Sequence, residues 1–113
     1  MRYEVEFLEA AQQKLEKLIA YLKENLTGSV AQAVFQAELS YVQKAVDQID
    51  SLLARIPKHL GHPSEKQYFH AKIKGTPDQT RFVTIGPISV IYGLYSQAQR
   101  VLVLQIVYHP DRN

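Results

Sequence analysis

The last third of the chain, Thr80 to Asn113, limits what the remainder can become. It contains RFVTIG, then PISVIYGLY, a polar SQAQ break, and RVLVLQIVYHPDRN. Runs rich in β-branched and aromatic residues, separated by Gly-Pro and Ser-Gln-Ala-Gln, predict three strands joined by hairpin-length connections. Such a meander has two faces, and the upstream residues read as the cover for one of them. The His109-x-x-Arg112 ending places two side chains able to handle phosphate at the exit of the last strand.

Upstream, Arg2 to Phe7 alternates, with Arg2, Glu4 and Glu6 on one side and Tyr3, Val5 and Phe7 on the other. That is the period of a half-buried strand, and so far ahead of the meander it must pair with a sequence-distant partner. From Leu8 the period changes. Leu8, Ala11, Leu15, Leu18, Ile19, Leu22 and Leu26 recur at three- and four-residue steps, predicting an amphipathic helix that stops at Thr27-Gly28. Ser29 can cap a second helix running to about Ile56, where Pro57 ends it. Its apolar stripe is broad, from Val34 and Phe35 through Val42, Ile49 and Leu53 to Ile56. Either sheet and first helix fill that stripe, or part of it is left for a partner.

Residues 58–67 (KHLGHPSEKQ) read as a loop, 68–73 as a short strand or extended edge, and 74–78 as a turn. The element order is β-α-α-β-β-β. It predicts an α+β fold, with an N-terminal strand, an antiparallel helical hairpin, and a mostly antiparallel sheet meander. At 113 residues the chain fits one domain spanning 1–113, and 46% hydrophobic residues suffice for a core.

Charge and composition narrow the function classes. Residues 1–54 carry five Lys/Arg against eight Asp/Glu, whereas residues 55–113 carry eight against three and all four histidines. A basic half favours a polyanion or an acidic protein partner, although ordinary solvated charge accounts for it equally well. There is no cysteine, so disulfides and cysteine-based zinc sites are excluded. MRYEVEF does not read as a signal peptide and no apolar run reaches membrane-spanning length, so no membrane partner and a cytoplasmic location are expected. His59 and His62 have no carboxylate or thiol at ligand spacing, and neither a metal nor another cofactor is expected. Gly-rich phosphate loops and Gly-x-Ser-x-Gly nucleophile motifs are absent from the sequence.

Taken together, the opening YEVEF, the helical hairpin, the LARIP ending of the second helix, the KIKGTPD turn, SVIYGLY and the closing VLVLQIVYHPDR resemble the RelE/ParE superfamily. These are toxins of type II toxin–antitoxin modules, including plasmid stabilisation or addiction modules. The resemblance covers nearly the whole chain and implies a growth-inhibiting toxin neutralised by a cognate antitoxin protein. Members similar to RelE are ribosome-dependent mRNA endonucleases (mRNA interferases), whereas members similar to ParE have a long hairpin and poison DNA gyrase. An orphan relative that binds without toxicity is a further alternative. The fold also permits a homodimer or a toxin–antitoxin hetero-oligomer.

The resemblance also assigns candidate residues. Arg81 stands where RelE-like nucleases carry the first of two strand lysines, and Arg112 matches their C-terminal arginine. The second lysine would fall near Val83 or Thr84, and the next-strand arginine falls on Ser89, so two expected cations are missing. Arg81 keeps a phosphate-binding cation but is a poor base. The bland reading makes it a rim salt bridge. His109 sits near a position that is titratable in some nuclease relatives, and histidine can serve as acid or base near neutrality. A strand-ending turn with an Asp111–Arg112 pair is the competing account. Tyr92 and Tyr108 are candidates for stacking on a base, although tyrosine in a strand is more often packing. Lys72 and Lys74, with His70, form an alternating basic edge for phosphate or an acidic antitoxin, or simply an edge strand blunted by lysine. The missing cations and the long hairpin favour the ParE-like alternative.

Overall fold

The computed structural model describes residues 2–24, 29–63 and 77–110. Strand β1 (Glu4–Phe7) leads into helix α1 (Glu9–Glu24) and helix α2 (Ser29–Arg55). The short β2 (His62–Pro63) is followed by β3 (Gln79–Ile85), β4 (Ile88–Tyr95) and β5 (Arg100–Tyr108). The strands form one sheet in the order β1-β5-β4-β3-β2. β1 lies parallel to β5, the sequence-distant partner that its early position requires, and every other pairing is antiparallel. The α+β architecture therefore has a mostly antiparallel sheet, as the sequence predicts.

The core lies on the sheet face under the helices. Ile88, Val90, Tyr92 and Leu94 of β4 are buried against Val42, Ala45, Ile49 and Leu53 of α2 and Ala11, Leu15 and Leu22 of α1. The β3–β4 hairpin closes through Gly86-Pro87. Gly86 has φ +57, and a Cβ there would sit 3.0 Å from the Tyr41 ring, so glycine suits both the turn and the close helix approach. Strand β5 carries a bulge: Ile91 opposes Gln105 while Tyr92 opposes Val103, leaving Leu104 without an opposite residue. The extra residue shifts the alternation, so Val101 and Val103 face the core before it and Ile106 and Tyr108 after it.

Two expectations change. Residues 58–67, read as a loop, contain β2, which pairs His62 with Phe82 and Pro63 with Arg81. Gly61 makes this approach feasible: it has φ +64, and a Cβ would sit 1.9 Å from the Phe82 carbonyl oxygen. The broad stripe of α2 is also used unevenly. Its C-terminal part is buried at Val42, Ala45, Ile49 and Leu53, whereas Val34 is 64% exposed. A 27-residue helix is about 40 Å long, and Val34 near its start is not packed into the core. The expected strand at 68–73 and the helix stop at Thr27-Gly28 lie outside the described residues. No helix among the described residues is long and apolar enough to cross a membrane.

Candidate functional site

Alternation along a strand sorts the candidates onto two faces of the sheet. Arg81 opposes Tyr92, and Tyr92 belongs to the core face. The Arg81 guanidinium donates from Nε to the Leu60 carbonyl at 3.1 Å and from Nη2 to the Gly61 carbonyl at 3.2 Å. Its Nη1 donates to Gln79 Oε1 at 3.2 Å. The Tyr92 hydroxyl is 2.8 Å from the Pro57 carbonyl and 2.9 Å from that of Leu60. Pro57, Leu60 and Gly61 follow the end of α2, where carbonyls have no helical partner. Two side chains on neighbouring strands therefore tie down the α2–β2 connection. Burial raises the Tyr92 phenol above its ordinary pKa, which the Arg81 hydrogen bond and charge partly offset.

This arrangement corrects two assignments. Tyr92 is fully buried, so its ring cannot stack on a base. Among the described residues Arg81 meets two backbone carbonyls and an amide side chain and no carboxylate, in place of a rim salt bridge.

On the other face a different group assembles. Thr84 opposes Ser89 across the β3–β4 hairpin. Thr84 Oγ1 and Ser89 Oγ are 2.7 Å apart, and Ser89 Oγ is 2.8 Å from Nε2 of His109. The His109 backbone amide donates to the Pro87 carbonyl at 2.7 Å, which fixes the residue at the strand exit. A hydroxyl–hydroxyl–imidazole chain of this kind orients the ring and can relay a proton or donate to an anion. The resemblance places a nuclease arginine at Ser89 and a lysine near Val83 or Thr84, so Thr84 and Ser89 stand at or beside the positions of the two missing cations. The sequence shows them as vacant of charge, and the structure shows Ser89 as the partner of His109 and Thr84 as the partner of Ser89. Their pairing is readable in retrospect, because a two-residue Gly86-Pro87 turn sets 84 opposite 89.

Arg81 and His109 are not brought together. Ser89, which holds His109, lies three residues from Tyr92, the cross-strand neighbour of Arg81. Three strand residues span about 10 Å, and the two side chains leave opposite faces. Tyr108 takes the core face with Ile88, and its hydroxyl donates to Glu38 Oε1 on α2 at 2.7 Å. Arg112, Lys72, Lys74 and His70 lie outside the described residues. Among the described residues no cluster of three or more His, Asp and Glu could hold a metal ion.

No protein-family model matches the chain, and no curated protein matches it. Solved structures do. The chain is similar to the toxin–antitoxin complex RelBE2 of Mycobacterium tuberculosis, at 16% identity and a TM-score of 0.56, over 98% of this chain and 95% of that one. It is also similar to a chromosomal ParDE toxin–antitoxin system of P. aeruginosa, at 15% identity and a TM-score of 0.57, over 95% and 96% of the two chains. Likeness at these identities concerns the backbone. The chain shares the RelE/ParE fold of these structures, with two helices and a five-stranded mixed sheet among the described residues.

Proposed function

We propose that the protein is the toxin of a type II toxin–antitoxin pair, acting in the cytoplasm, inhibiting growth, and neutralised by a cognate antitoxin protein. The observation that carries this reading is the fold, shared over nearly the whole chain with one RelBE and one ParDE assembly. In this proposal the mechanism is binding in the ParE-like manner, with DNA gyrase as the target. The helical hairpin and the C-terminal strand engage it, and the antitoxin covers the same surface. Supporting the lean, the one described candidate cation, Arg81, is occupied by backbone carbonyls and stands on the opposite face from His109. Phosphoryl-transfer chemistry needs its base and its cation around one phosphate.

The Thr84–Ser89–His109 chain favours the second reading, a ribosome-dependent mRNA endonuclease in which His109 acts as acid or base. Expression in bacteria without an antitoxin separates the two. DNA breaks with intact mRNA support gyrase poisoning, and codon-phased mRNA cuts abolished by His109→Ala support the nuclease. Unimpaired growth would overturn the toxin reading and leave a binding protein of the same fold.

A further inference from the structure

The two nitrogens of the His109 ring meet different surroundings. Nε2 lies 2.8 Å from Ser89 Oγ, which is itself 2.7 Å from Thr84 Oγ1. Among the described residues no hydrogen bond reaches Nδ1. The backbone amide of the same residue donates to the Pro87 carbonyl. The β3–β4 hairpin therefore holds His109 at two points, once through the main chain and once through the ring. Nδ1 is the ring nitrogen left open on a half-exposed side chain.

Two hydroxyls and one neutral ring can run this chain in either direction, because each hydroxyl both donates and accepts. If Ser89 donates to Nε2, the ring hydrogen sits on Nδ1 and the ring's one lone pair is already occupied. Such a ring is no base, and adding a proton to it would force Ser89 and Thr84 to reverse. If Nε2–H donates to Ser89 and Ser89 to Thr84, the lone pair lies on the open Nδ1. The chain is then the same for imidazole and for imidazolium, and only Nδ1 changes. Thr84 is half-exposed, so water can take its remaining hydrogen. Residue type matters here: a lysine or arginine beside the ring could only donate, and could not accept from Nε2–H.

We propose that Nδ1 is the working atom of His109, and that Ser89 and Thr84 are positioning residues that accept from Nε2–H and aim the ring. The hydrogen bond made by one ring nitrogen sets the state of the other. The inference rests on the endonuclease reading, which asks the ring to exchange a proton. In that reaction a substrate hydroxyl gives its proton to the Nδ1 lone pair, and the imidazolium keeps Nε2–H on Ser89. No hydrogen-bond partner changes during the transfer, so the site needs no reorganisation at that step.

The test is the site of alkylation by iodoacetate on the folded full chain, with the two carboxymethyl-histidine isomers separated after digestion. A ring nitrogen reacts through a free lone pair, so at His109 the Nδ1 product exceeds the Nε2 product by about tenfold or more. Ser89→Ala releases Nε2, and both products form. Nitrogen-15 spectra of the neutral ring place the hydrogen on Nε2 in the parent, with a solvent-protected N–H signal that Ser89→Ala loses. A dominant Nε2 product, an unmodified His109, or the same product ratio in parent and variant would overturn the proposal, as would a ring hydrogen on Nδ1. The endonuclease reading fails separately: mRNA cuts that survive His109→Ala would end it, while the product ratio would still report which nitrogen Ser89 holds.

Discussion

The two ends of the β3–β4 hairpin use polar side chains for opposite purposes. Toward the chain ends of the hairpin, Arg81 and Tyr92 spend their hydrogen bonds on backbone carbonyls of Pro57, Leu60 and Gly61. Near the turn, Thr84 and Ser89 bond to each other, and Ser89 bonds to a half-exposed His109. A guanidinium and a buried phenol look like chemistry in a sequence, yet here they hold up a loop. A threonine and a serine look like nothing, yet they orient the imidazole. Residue type alone therefore does not separate the candidates; the partner that each polar atom meets does.

Breaking the first end should cost most. Gly61→Ala forces a left-handed backbone onto a residue with a Cβ and drives that Cβ into the Phe82 carbonyl. The conformation alone costs about 1–2 kcal/mol, and displacing β2 adds to it. Urea unfolding should show a loss above ~2 kcal/mol. Tyr92→Phe keeps the ring in the core and removes the hydroxyl that donates to the Pro57 carbonyl, for an expected loss of about 1–3 kcal/mol. Arg81 still reaches Leu60, so Arg81→Ala and Tyr92→Phe should be non-additive through that shared carbonyl. Additive losses would mean that the two side chains do not act on one loop position.

At the other end the expected stability effect is small. His109→Ala and Ser89→Ala remove half-buried, partly solvated groups, and each should change unfolding free energy by less than ~1 kcal/mol. Function is the sharper readout. If the endonuclease reading holds, His109→Ala abolishes mRNA cleavage while leaving the fold intact, and Ser89→Ala slows cleavage by freeing the ring from its hydroxyl partner. If His109→Ala destabilises the chain as much as Tyr92→Phe does, the contrast between the two ends collapses.

Much of the architecture was legible because it follows from periodicity. The step from period two at Phe7 to period three-to-four at Leu8, the Pro57 stop and the Gly86-Pro87 turn are local signals that backbone sterics enforce. The unread parts depend on contacts between distant residues. β2 forms because Gly61 presses against Phe82, a contact 21 positions apart that no local pattern announces. The β5 bulge is hidden because RVLVLQIVY is apolar on both phases, so the switch at Leu104 leaves no trace in the alternation. For the site, the terminal location of His109 was readable. That Arg81 faces away from it followed only from the register of β3 with β4, which fixes which residues share a face.

The smallest expected effect tests how the open end of the hairpin is fastened. Asp78 precedes β3, and its Oδ2 accepts the Ser96 backbone amide at 2.7 Å while its own amide donates to the Leu94 carbonyl. The Ser96 backbone hydrogen bond, then the Ser96 side chain, hold the carboxyl below its ordinary pKa, against a small opposing desolvation and with a minor contribution from the charge of Lys58. A carboxyl depressed by folding contributes stability above its unfolded value, about 3.9, and loses it as pH falls through the lower folded value. Asp78→Asn retains an oxygen for Ser96 but cannot titrate. Urea midpoints should therefore separate parent from variant near neutrality and converge as the pH drops below about 4. A separation that stays constant down the acid limb would mean that the carboxylate charge contributes nothing to this fastening, and that backbone pairing between Asp78 and Leu94 closes the hairpin by itself.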